Sequence, residues 1–351
     1  MFSTYLPNDV TILLKDISGC IEPMGTAERE KRIQSGVHYS EMLPIEYEPS
    51  EKYMRIYNHA LEAYSAISAD AVGCAAEQIW VAKAGHPVLV SLARAGTSIG
   101  VLLKRYLKKK YGADVPHYSI SIIRGKGVDH NAMKYILALH RPEDIQFVDG
   151  WVGKGAIQRE LNQAMKDYPG VCPGLAVLSD PAHIADICGT HEDFLIASSC
   201  LNSVVSGLLS RTFQRPDVIG VQDFHGSAFY HELMPKDRTY EFIHAVERHF
   251  RYDLPTPEFS STVPYAAGLH ETEAIAAAFG IEDINLVKPG IGETTRVLLR
   301  RVPWKILVSS LNDHQHLDHI YQLAHEKGVE LVEYPLKHYK ACGLIRTMAD
   351  Q

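Results

Sequence analysis

Cysteine is sparse in this 351-residue chain and never closely paired. Cys20, Cys74, Cys172, Cys188, Cys200 and Cys342 form no Cys-x-x-Cys motif. That argues against a disulfide framework and against a zinc site built from paired thiolates. A reduced compartment, the cytoplasm, is the expectation. Long apolar runs are missing too. The first fourteen residues carry Asp9 and no basic start, so neither a membrane span nor a secretory leader is expected. No internal repeat or low-complexity tract is visible. What remains is an ordinary globular composition, 46% hydrophobic and 22% charged, long enough for two or three domains with real cores. Charge is uneven. Residues 286–351 carry nine Lys and Arg against seven Asp and Glu, whereas the first 285 carry 26 against 35. The C-terminal piece is therefore the better candidate for a polyanionic partner.

Along the chain, residues 1–50 read as an irregular extension. An amphipathic helix starts near 53, with Tyr57, Leu61 and Tyr64 on one face. Strands and helices then alternate. Strands are expected at 87–93, 117–123, 144–149, 175–180 and 193–198. Helices are expected at 98–107, at 129–139 with Asp129 as N-cap, at 156–168, and at about 199–213. This alternation predicts a mainly parallel sheet with flanking helices over residues 51–215. Residues 216–285 form a connecting region in which 253–257 is a turn and 270–280 a short helix. A second, compact βαβα pattern fills 286–351 and ends in a helix.

Two loops between a strand and a helix carry the first candidate chemistry. One is Arg94, Ala95, Gly96 and Thr97. The other runs from Asp149 and Gly150 through Gly153, Lys154 and Gly155 to Ala156. Both stand at strand C-terminal ends, where open α/β sheets bind ligands. Glycine lets the backbone approach an oxyanion, and the following helix points its amides at that charge. Arg94 and Lys154 add positive charge, and Asp149 can bind ribose hydroxyls or hold a metal ion. Ordinary tight turns are the plain alternative. Gly125 to Gly127 is either a simple turn or part of a mobile lid.

These loops resemble the pyrophosphate loop and the sugar-phosphate loop of type I phosphoribosyltransferases. Gly150 departs from the second acid of that pattern, and Lys154 and Ile157 stand where threonines are usual. The segments "LVSLARAGTSIGVLLKR", "HYSISIIRGKG" and "FVDGWVGKGAI" resemble the StiP family. That family is described as phosphoribosyltransferase-like, is associated with tellurite-resistance gene clusters, and also carries a cysteine protease label. The resemblance covers most of residues 1–230. It implies a Mg²⁺-dependent pentosyl transfer from phosphoribosyl pyrophosphate, or a related nucleotide-like molecule, toward a nucleoside-like metabolite. Asp149, Arg94 and Lys154 would be catalytic, with Asp149 the indirect metal ligand. Gly150, Gly153, Gly155 and Ala156 would hold the sugar phosphate, and Arg94 to Thr97 the pyrophosphate. A homodimer is also expected.

Two alternatives compete with transfer. Cys200 stands where a helix is expected to begin, and a helix N-terminus favours a thiolate. His225 is a candidate base, so a Cys200–His225 cysteine hydrolase is one rival. Asn202, Ser203 and Ser206 would line the same segment. The second rival is a non-catalytic RNA- or nucleotide-binding regulator, because "KPGIGETTRVLLRR" resembles the Pelota/L7Ae-like RNA-binding domain over about 286–345. The RNA-binding candidates are Lys288, Gly290, Gly292, Glu293, Thr295 and Arg296. The string His314-Gln-His316-Leu-Asp318-His319 mimics a paired-metal motif. Only 32 residues follow it, too few for that fold, so it reads as a loop and helix start.

Overall fold

The computed structural model describes residues 2–253 and 263–345. Its larger sheet is parallel except for the short strand Gly127–Val128, which folds back antiparallel on His117–Ile123. From one edge to the other, the parallel strands are Thr11–Ile12, His117–Ile123, Val88–Ala93, Ile145–Val148, Leu175–Ser179 and Ile187–Thr190. His117–Ile123 and Leu175–Ser179 are buried at every position. A strand covered on both faces tends to an unbroken apolar run, as in Leu175–Ser179. His117–Ile123 instead buries Ser119 and Ser121, whose hydroxyls meet Thr97 and His225. On one face lie the helices Glu51–Ala82 and Ala95–Tyr111. The helices His130–Leu137 and Ala156–Ala164 cover the other, each face with its own hydrophobic core. The chain is thus a mixed α/β protein with a mainly parallel sheet and flanking helices.

Local chemistry accounts for the element ends. The Asp129 carboxylate accepts from the Asn131 and Ala132 amides and so caps His130–Leu137. Gly112, at φ +68°, closes Ala95–Tyr111 after three lysines in its last turn. Gly100 sits where a methyl group would fall 2.1 Å from Ser91 Oγ and 2.2 Å from His117 Nε2, so only glycine lets this helix approach the sheet.

Several expectations need correction. Residues 1–50 are woven in, since Thr11–Ile12 pairs with the strand His117–Ile123 and Lys15–Asp16 with Gly226–Ser227. Residues 193–198 are not a strand, and 199–213 are not a helix. The edge strand is Ile187–Thr190, followed by the 3₁₀ turns Ala197–Cys200 and Ser203–Val205. A short apolar run cannot tell a strand from a buried loop by periodicity. Among the described residues the final element is the strand Ala341–Ile345, where a helix was expected. The expected turn at 253–257 lies, beyond Asp253, outside the described residues. The His-rich string opens the helix His314–Lys327, capped by Asp313. Among the described residues, no helix is long and apolar enough to cross a membrane.

The C-terminal module is a four-stranded sheet ordered Val287–Pro289, Ala341–Ile345, Pro303–Val308, Glu330–Glu333, with helices Ile291–Arg300 and His314–Lys327. It does not stand apart. Ile291, Leu298, Leu317 and Ile320 join the same apolar core as Tyr57, Ala69 and Phe194. Tyr53 and Tyr64 on the long helix donate to the Leu299 and Gln315 carbonyls. At the centre of the junction, buried Asp193 accepts from the Ile291 amide at 3.0 and 3.1 Å and from the Lys340 amide at 2.8 Å.

Burial pushes the Asp193 carboxyl up to about 6, and the Lys340 and Ile291 amides pull against that shift. A raised folded-state value means that the folded chain holds this proton more tightly than the unfolded chain. The carboxyl's contribution is therefore full below about pH 4 and declines as pH rises to about 6. Asp193→Ala leaves two buried amides without an acceptor, at about 1–3 kcal/mol each. Urea denaturation should show a larger stability loss for this variant at pH 4 than at pH 7. An equal loss at both would mean that the carboxyl does not titrate with folding.

Candidate active site

The two loops expected to bind a sugar phosphate lie at the C-terminal ends of their strands, but their side chains are already engaged. Thr97 is buried, with its hydroxyl 2.8 Å from Ser119 Oγ. Gly96 packs so closely that a methyl group would lie 2.4 Å from the Val148 carbonyl. The next residue, Asp149, is pushed up to about 7 by burial and accepts from the Gly150 amide at 2.8 Å. Gly155, at φ +75°, is the N-cap of Ala156–Ala164. Lys154 does not face an open cradle. Its ammonium donates to the Ile284 carbonyl and, at 3.0 Å, to the Val287 carbonyl, tying the loop to the C-terminal module. Burial, with help from Lys288 and Arg124, lowers Lys154 to about 8.

Beside these loops, guanidinium groups crowd together. Arg94 donates to the Leu209 carbonyl at 2.9 Å and to Asn202 Oδ1 at 3.4 Å, and Arg300 reaches the same oxygen at 2.7 Å. Arg211 lies over the Tyr39 ring, 5.2 Å from its centroid. Burial, then repulsion from Arg94 and other cations, lowers Arg211 to about 10. Arg300 falls to about 10 for the same reasons, with Arg296 the largest charged contributor. Among the described residues, no carboxylate pairs with Arg94, Arg211 or Arg300. Sequence reasoning singled out Arg94 here and missed Arg211 and the approach of Arg300, which come from distant segments.

The glycine turn assigned to RNA is likewise turned inward. The Ile291 amide, the donor such a turn would offer a phosphate, is held by Asp193. A methyl group at Gly292 would meet Ser199 Oγ at 3.3 Å. Thr295 is buried, bonded to the Ile291 carbonyl and to His319. Glu293 pairs with Arg296 at 3.4 Å, and Lys288 is lowered by its own burial. In this chain the turn docks the module against the larger sheet.

The cysteines sort clearly. Cys200 is fully buried and ends a 3₁₀ turn instead of opening a helix, so the expected helix-terminus activation is missing. Burial pushes its thiol up to about 12 against a smaller pull from Arg300. His225 bonds elsewhere, to Ser121 Oγ at 2.8 Å and to Asp129 through its amide. No hydrogen bond joins Cys200 to His225. A different pair is formed. Cys188 Sγ, on the edge strand Ile187–Thr190, lies 3.6 Å from His191 Nε2. His191 Nδ1 is 2.7 Å from the Asp180 carbonyl. An acceptor there fixes the proton on Nδ1 and leaves Nε2 as the unprotonated nitrogen. Sγ is also 3.9 Å from Nδ1, so the sulfur lies beside the imidazole ring. Burial pushes Cys188 up to about 12, so the resting group is a thiol.

Around this pair the imidazoles stack. His183 lies parallel to His191, with centroids 3.9 Å apart, and meets His338 of the C-terminal module edge-on. Burial, then the two neighbouring imidazoles, lowers His183 to about 4 and keeps it neutral. Asp180, Cys188 and His191 form a group whose ligand atoms all lie within 4.8 Å of one another, and Asp149, the expected metal residue, is not part of it. Sequence reasoning missed Cys188 and His191. The available signal was a Cys-x-x-His spacing in "ICGTH", which shows a pair only once the strand is known to end at Thr190.

A family model described as "Tellurite-like stress resistance cysteine protease StiP" matches residues 3–247, and one for the PELOTA RNA binding domain matches 266–347. The chain is 33% identical to the "Cysteine protease StiP" of Acinetobacter baylyi, over 98% of this chain and 94% of that protein. These names overturn the expectation of a phosphoribosyltransferase acting in nucleoside-like biosynthesis. They agree with the cysteine hydrolase alternative. The misreading had a physical source: glycine-containing turns at strand ends serve anion binding and close packing equally well, and here Gly96 and Thr97 serve packing. The chain belongs to the StiP family, with a PELOTA-type domain at its C-terminal end.

Proposed function

We propose that this chain is a cysteine protease with Cys188 as nucleophile and His191 as general base. The observation that carries the reading is the 3.6 Å approach of Cys188 Sγ to His191 Nε2; among the described residues this is the one cysteine–histidine pair at hydrogen-bond range. The Asp180 carbonyl acts as the orienting group for the imidazole. The thiol proton passes to Nε2 as sulfur attacks the scissile carbonyl carbon. The imidazolium then protonates the leaving amine, and a thioester remains on Cys188. Water, deprotonated by His191, hydrolyses that thioester and restores the thiol. Because burial holds the resting thiol neutral, His191 must take the proton during attack. The parallel sheet would be a phosphoribosyltransferase-type scaffold put to thiol chemistry, a reading supported by the strand–loop–helix arrangement at Arg94 and Asp149.

The unpaired guanidiniums favour a second feature of the same protein. We propose that Arg94, Arg211 and Arg300 hold a phosphate-bearing small molecule. Buried like charges without carboxylates are relieved by an anion, and Arg presents paired donors that fit phosphate.

Three measurements check these readings. Cys188→Ser should abolish hydrolysis of an unfolded protein substrate, while Cys200→Ser keeps it; the reverse result would move the nucleophile to Cys200. His191→Gln should slow alkylation of Cys188 at pH 7 by on the order of 100-fold. For the arginine cluster, pyrophosphate should raise the melting temperature of the wild type. Arg94→Ala and Arg211→Ala should each shrink the shift, and an equal shift in both variants would place the anion elsewhere.

A further inference from the structure

Asp180 is fully buried, and its two carboxylate oxygens have different fates. Oδ2 accepts from the Ile184 and Ala185 amides, each at 2.8 Å. Oδ1 is buried with no hydrogen-bond partner. A carboxylate oxygen left this way is costly unless something positive meets it. The neighbours that could share such a guest are Cys188 Sγ and His191 Nε2, within 4.8 Å of an Asp180 oxygen and of each other.

The ligand types fit one class of ion. Cys188 Sγ lies 3.6 Å from His191 Nε2 and 3.9 Å from Nδ1, so the imidazole must turn for Nε2 to meet a cation held by the sulfur and Asp180. A sulfur, an imidazole nitrogen and one carboxylate oxygen suit zinc, whereas magnesium and calcium prefer all-oxygen sets. The bond from His191 Nδ1 to the Asp180 carbonyl is also the outer contact that orients a ligating imidazole. Three protein ligands leave a fourth position for water.

We propose that Asp180, Cys188 and His191 bind a zinc-class divalent cation, and that the bound cation silences the Cys188 thiol. The silencing part rests on the reading of Cys188 as nucleophile; the binding part does not. On binding, the Cys188 S–H bond breaks, its proton leaves to solvent, and the sulfur electron pair coordinates the metal. The His191 Nε2 lone pair coordinates as well. Neither is then available for attack or proton transfer, so metal loading and hydrolysis exclude each other. Because a proton is released, binding tightens as pH rises.

Cobalt(II) titrated into the tag-free full chain tests the site directly. The expected result is one equivalent bound, with a thiolate-to-cobalt charge-transfer band that zinc removes and that Cys188→Ser and His191→Gln lack. In the wild type, zinc should also protect Cys188 from alkylation while the exposed Cys20 and Cys172 still react. Absence of both the band and the protection would overturn the metal site. Metal binding at Cys188 together with undiminished hydrolysis by the zinc-loaded chain would overturn the silencing, and hydrolysis by Cys188→Ser would separately remove the nucleophile assignment.

Discussion

A buried carboxylate, Asp193, holds the two halves of this molecule together. It lies just after the edge strand of the parallel sheet and reaches the first turn of a C-terminal helix and the backbone at Lys340. A carboxylate at a helix N-terminus is favourable, but burying one is not, and the chain accepts that cost where two segments must be fixed at once. The apolar core continues across the same junction, so the C-terminal module packs against the larger domain as part of one core. Lys154 strengthens the link from the opposite loop, and His338 brings the module to the imidazole stack beside Cys188. Both candidate sites therefore depend on how the module is seated.

That dependence recasts the glycine turn. A bare helix N-terminus offers amides to any anion. Here the anion is the chain's own aspartate, and the charge left uncompensated lies elsewhere, on arginines from three separate segments. Positive charge gathers there because Arg94, Arg211 and Arg300 are anchored by carbonyl and amide oxygens or by a ring face instead of by carboxylates.

Much of the fold was legible in the sequence. The β-rich segment at 117–123 matches its strand, and Asp129 caps the helix it was expected to cap. Legibility fails between 193 and 213. There the apolar residues belong to loops buried between the sheet and the C-terminal module, and neither period 2 nor period 3.6 describes them. The site fails for a related reason. Cys200 looked activated only because a helix was expected to start there. Cys188 lies in a short strand where nothing local distinguishes a packed thiol from a reactive one. His191 meets it because the strand ends at Thr190, and the Asp180 carbonyl turns the ring. Distances of this kind follow from tertiary placement, which residue types alone do not encode.

The central claim is that the chemistry of this protein is carried by the thiol of Cys188. The most direct test is to trap the enzyme with a peptide-based thiol-protease probe that forms a covalent bond only with a working nucleophile, and to map the adduct by mass spectrometry. The account predicts an adduct on Cys188 that is lost in His191→Gln. An adduct on Cys200, or none on any cysteine of an active preparation, would contradict it.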